Sequence, residues 1–76
     1  MTMSKKDIKK IIEEIESLGV VVTDYELSKH NKFWVLNPKT NTIKMITVAG
    51  SPKAKGRYDE VRSSVRKVFR KIGENL

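Results

Sequence analysis

Two stripes of apolar residues at helical spacing, one near each end of the chain, bracket three short runs rich in β-branched and aromatic residues, and few folds accept that order. Ile8, Ile11, Ile12, Ile15 and Leu18 recur on one face, with Lys9, Lys10, Glu13, Glu14 and Glu16 off it. Ser4 followed by Asp7 has the spacing of a capping box and Gly19 suits a left-handed stop, so the pattern predicts a helix over about residues 4–18. Tyr58, Val61, Val65, Val68, Phe69 and Ile72 restore the helical spacing and end at Gly73. Between the stripes, strands are predicted from Val20 to Leu27, Lys32 to Leu36 and Thr42 to Val48. Ser28 to Asn31 reads as a turn, and Asn37, Pro38, Lys39, Thr40 and Asn41 as a polar connection. Connections this short favour antiparallel neighbours. Ala49 to Gly56, with Gly50, Ser51, Pro52 and Gly56, keeps no periodicity and reads as a loop or a loop with one short turn.

The expected fold is α+β in two layers, with both helices on one face of a three-stranded antiparallel sheet. At 76 residues the chain is expected to form one domain, residues 1–76, whose core leaves roughly 3–5 kcal/mol of net stability. There is no cysteine, which removes disulfides and His/Cys metal sites and makes a reducing cytoplasm the natural compartment. Apolar runs such as Val20 to Val22 and Phe33 to Leu36 are far too short for a membrane span, and no signal peptide or anchor is expected. The strands are apolar on both sides. Phe33 and Val35 point one way and Trp34 and Leu36 the other, while Ile43 and Met45 oppose Ile46 and Val48, so part of the sheet is expected to face outward as an interface.

Sixteen Lys and Arg against nine Asp and Glu give +7, and the excess is concentrated. From Lys53 to Lys71 stand Lys53, Lys55, Arg57, Arg62, Arg66, Lys67, Arg70 and Lys71 against only Asp59 and Glu60. Such a lopsided balance points to a polyanionic partner, whereas a mixed-sign face would serve solubility equally well. Arg62, Arg66 and Arg70, four apart, form a line of guanidinium groups able to follow a phosphate backbone over two turns; Lys67 and Lys71 fall on the other side. Lys53, Lys55 and Arg57 add charge close to the helix start.

His30 is the only histidine. In a polar turn it reads either as a surface residue or as a metal-free base for a ribose 2′-hydroxyl, with Lys29 and Lys32 holding the adjacent phosphate. Trp34, Phe33 and Tyr25 are candidates for base stacking or for the core, Trp34 being best placed to face outward. Asp24 and Glu26 share a strand face without a second acidic cluster, no Gly-rich nucleotide loop is present, and no cofactor is implied. Glycosidase, kinase and metalloenzyme chemistry is thereby set aside.

The run Ser28, Lys29, His30, Asn31, Lys32, Phe33, Trp34, Val35, followed by a turn, a strand ending at Val48, a Gly-Ser-Pro loop and an Arg/Lys-rich helix, resembles the HicA-like toxin family. The resemblance spans Ile8 to Gly73 and rests on pattern and order; Leu27, Ser28 and Lys29 stand where typical members carry a glycine. It implies a dsRBD-like α-β-β-β-α domain, often phage-encoded, acting as a metal-independent mRNA interferase of a toxin-antitoxin pair. His30 would then be catalytic, and a cognate antitoxin a partner. Two rivals stay open: a non-catalytic protein that docks on and inhibits a host protein, and a DNA-binding accessory protein, for which 2′-hydroxyl contacts would be absent.

Overall fold

The computed structural model describes residues 5–28, 30–48 and 57–76, apart from the Arg57 side chain. The chain runs α1 (Lys5–Glu16), β1 (Val21–Glu26), β2 (Asn31–Asn37), β3 (Thr42–Val48) and α2 (Arg57–Arg70). The strands form one antiparallel sheet in the order β1-β2-β3, which is the α+β architecture expected from the pattern of the chain. Ser4, Lys29 and the expected loop from Ala49 to Gly56 lie outside the described residues.

Strict alternation along β2 sets the layers. Asn31, Phe33, Val35 and Asn37 are buried towards the helices, while Lys32, Trp34 and Leu36 are half-buried on the open face. Phe33 lies between Tyr25 and Ile46 and Val35 between Val22 and Lys44. The β1 register shifts between Val22 and Asp24, with Thr23 as the extra residue of a bulge. Plain alternation from Val22 would turn Tyr25 to the open face; the bulge brings it to the helix side, where its ring stacks on Phe33 with centroids 5.9 Å apart. The Thr23 hydroxyl donates to the Trp34 carbonyl at 3.4 Å.

The core joins Ile8, Ile11 and Ile15 of α1, the linking Val20, Phe33 and Val35 of β2, Ile46 and Val48 of β3, and Val61, Val65 and Phe69 of α2. Each large side chain so buried contributes about 1.5–3 kcal/mol against the entropy of ordering the chain. Lys10 lies over the Tyr58 ring and Glu14 meets Arg62 one turn further on in both helices, so α1 and α2 run parallel, side by side.

The element ends differ from the sequence pattern by a residue or two. α1 stops at Glu16 rather than near Leu18, because Leu18 and Gly19 donate to the Ile15 and Glu16 carbonyls in a tighter turn. Val20 is a buried link ahead of β1 rather than its first residue. β2 takes in Asn31 and Asn37, which the sequence placed in turns; both are buried and follow the inward period of Phe33 and Val35.

α2 ends on Gly73, at φ 80°. The Gly73 N–H donates to the Arg70 carbonyl and that of Glu74 to the Phe69 carbonyl, both at 2.9 Å, a Schellman closure. The Glu74 carboxylate then accepts from Asn37 Nδ2 and Thr42 Oγ1, each at 2.8 Å, and from the Thr40 hydroxyl, tying the end of α2 to the β2–β3 turn. The Thr40 hydrogen bond, with those from Thr42 and Asn37 and the nearby Lys44 charge, outweighs partial desolvation and holds this carboxyl below its ordinary value of 4.5.

Gly73→Ala meets no neighbouring atom at its new Cβ but keeps a positive φ, so we expect about 1 kcal/mol of destabilisation in urea unfolding. A carboxyl lowered by folding stabilises above its unfolded pKa and loses that contribution as pH falls through the folded one. The wild-type melting temperature should therefore exceed that of Glu74→Gln at neutral pH, with the gap closing from about pH 4.5 downward; a gap unchanged in acid would show that the carboxylate does not clamp the turn.

Candidate nucleic-acid interface

The inward stripe of α2, Val61, Val65 and Phe69 flanked by half-buried Tyr58 and Val68, leaves Ser63, Arg66, Lys67 and Arg70 facing outward. These four line a shallow surface recess of about 150 Å³. Ser63 is small, so the longer cationic chains can converge over it. From Val61 to Gly73 the chain has no acidic residue, and Arg66, Lys67, Arg70 and Lys71 are all exposed. Arginine forks of this kind match phosphate oxygens in pairs, and the lysines add mobile point charges.

Arg62, the first of the series spaced by four, does a different job. Its guanidinium pairs with Glu14 of α1 at 3.2 Å and with Asp59 of its own helix. Glu14 also faces Lys10 at 3.9 Å, and the Lys10 ammonium sits 5.8 Å from the Tyr58 ring centroid. Arg62 is thus held in a network that ties the two helices together. Lys67 and Lys71 border a second groove, of about 350 Å³, shared with Met45, Ile46, Thr47, Ser64 and Val68. Arg57 opens α2, with its side chain outside the described residues, as are Lys53 and Lys55.

His30 is exposed beside the first residue of β2. Its carbonyl accepts from the Ser28 hydroxyl at 3.0 Å, and among the described residues no hydrogen bond orients its imidazole. Asn31 next to it is buried, donates from Nδ2 to the Val48 carbonyl at 3.2 Å, and leaves Oδ1 with no partner among the described residues. Asn31 pairs with Val48 at one end of the sheet, whereas Asn37 and Glu74 mark the other, where α2 finishes. At ~3.3 Å per residue these ends are about 20 Å apart. The structure therefore brings Arg66 and Arg70 together in the far half of α2 and does not bring them to His30. Lys32 is half-buried on the open face opposite Glu26, and Lys29 lies outside the described residues.

The aromatic candidates divide between the two sides. Phe33 is fully buried and Tyr25 stacks on it, so both belong to the helix side. Trp34 is half-buried on the open face between Asp24 and Met45. That face carries Val21, Leu36, Ile43 and Met45 with Asp24 and Glu26, and Lys32 is its one cation among the described residues. It offers a phosphate backbone no positive field, in contrast to α2.

The sequence did not single out Ser63, Asn31 or Glu74. Ser63 is marked only by being small between cations, and Asn31 only by the inward parity of β2. Among the described residues no group of three or more His, Asp or Glu side chains could hold a metal ion, and no helix is long and apolar enough to cross a membrane. Comparison with family models, with curated proteins and with solved structures gave no match.

Two substitutions should separate the tie between the helices from the outward face. Arg62→Ala removes a half-exposed network and should cost about 0.5–1 kcal/mol in urea unfolding while leaving nucleic-acid affinity nearly unchanged. Arg66→Ala with Arg70→Ala should leave stability within about 0.5 kcal/mol and weaken binding. Equal loss of binding in both variants would mean that Arg62 also meets the ligand.

Proposed function

We propose that the protein binds nucleic acid, RNA above all, through the outward face of the second half of α2. The observation that carries this is the exposed set Arg66, Lys67 and Arg70 around Ser63, on a stretch without an acidic residue. Lys71 extends the set towards the helix end. The preference for RNA rests on the resemblance to HicA-like toxins, whose implied activity also gives His30 a role. In that role the imidazole takes the proton of a ribose 2′-hydroxyl, and the oxygen so freed attacks the adjacent phosphorus as the 5′-oxygen leaves. A strand reaching from Arg70 to His30 would span about 20 Å, roughly six stacked nucleotides at ~3.4 Å each. Residues near His30 would hold the scissile phosphate, and α2 would hold the strand at a distance from it.

The test is a titration of wild type, His30→Ala and Arg66→Ala/Arg70→Ala onto labelled structured RNA, single-stranded RNA and duplex DNA, in chelator and at two salt concentrations. We expect RNA to be shifted most. Affinity should fall with salt, and each phosphate that the double variant no longer neutralises should lower the log–log slope by about 0.7–0.9. Cleavage by wild type but not by His30→Ala, with binding retained, would establish the metal-independent ribonuclease. Intact but shifted RNA would leave a binding module, tighter binding to duplex DNA would favour the accessory-protein reading, and the absence of any shift at moderate salt would overturn the proposal.

A further inference from the structure

The two edges of the sheet are not equivalent. β1 is interrupted by the bulge at Thr23, and its Val22 N–H already donates to the Glu16 carboxylate at 3.2 Å. Both features close a strand edge to further pairing. β3 runs seven residues with no proline and no register shift, and among the described residues no hydrogen bond outside the β2 ladder reaches the backbone of Thr42 to Thr47. Its Lys44, the residue type that most often guards an edge, is half-buried on the helix side, near Glu74.

Alongside this edge lies the groove of about 350 Å³ between β3 and α2. Three consecutive β3 residues line it, Met45, Ile46 and Thr47, although their side chains alternate between the two faces. The groove therefore follows the outer edge of the strand. Val68 supplies an apolar wall, Lys67 and Lys71 stand at the rim, and no acidic residue lines the cavity.

From this we infer that the β3 edge and its groove with α2 form a docking site for an extended acidic peptide segment of another protein, which adds to the sheet as a fourth strand. Every second residue of such a segment would exchange backbone hydrogen bonds with β3, and the side chains of one parity would face α2, an apolar one entering the groove against Val68. Carboxylates at other positions of that same parity would meet Lys67 and Lys71. A second copy of this chain fits poorly, because edge-to-edge pairing would bring both sets of these lysines together in a molecule already at +7. The site goes beyond the nucleic-acid reading, since it adds the sheet edge and the wall at Val68, and shares with that reading only Lys67 and Lys71.

The probe is a short end-capped peptide with valine and glutamate in turn at every second position and threonine between them, titrated into the 15N-labelled protein. We expect amide shifts along Thr42–Val48 and at Lys67, Val68 and Lys71. The same peptide with lysine for glutamate, or with N-methyl groups on the pairing amides, should bind at least about tenfold more weakly. The variant Lys67→Glu/Lys71→Glu should reverse the preference towards the lysine peptide, which keeps the test meaningful without disturbing the strand. Shifts confined to Val21, Trp34 and Leu36 on the open face, equal binding of the N-methylated peptide, or no shift at about 1 mM would overturn the inference.

Discussion

The parity of β2 governs the rest of the molecule. As the central strand it has ladder partners on both sides, so its alternation alone decides which residues of β1 and β3 share a face. Phe33 and Val35 give the helices their floor; Asn31 and Asn37 end that inward row with polar side chains, one on the Val48 carbonyl and one on Glu74. Slipping β2 by one residue would bury Lys32 and expose Phe33. The cost of that exchange fixes both layers.

Most of the architecture is local, and so was visible in the chain. The stripes of α1 and α2 follow from side chains spaced by one helical turn, and Gly19 and Gly73 take positive φ where those stripes end. Three features depend on residues far apart in sequence and were not legible. The bulge at Thr23 reverses the face of Tyr25, and only pairing with β2 reveals it. Asn31 and Asn37 look like turn residues until their strand is set between two neighbours. Arg62 looks equivalent to Arg66 and Arg70 by spacing, and its removal from the free basic face depends on Glu14 arriving from α1.

Charge is segregated by layer as a result. The outward side of the second half of α2 is cationic, while the open sheet face is apolar with Asp24 and Glu26 along β1. A polyanion and an apolar partner would thus approach from different directions, and Lys67, which borders both the recess and the groove, is where their footprints meet. The ion-pair network at Arg62 lowers the repulsion within the helix layer that such segregation would otherwise impose.

The parallel course of α1 and α2 adds a charge that formal counting omits. Each helix carries the equivalent of about half a positive charge at its first turn and half a negative charge at its last. Two helices laid side by side in one direction therefore give the molecule a permanent dipole, positive at the end of the sheet where β2 begins beside His30. Lys67, Arg70 and Lys71 sit at the negative end of α2 and cancel it there. The second half of α2 consequently stays positive up to its C-terminus rather than fading there, while Asp59 and Glu60 make its first turn mixed in sign.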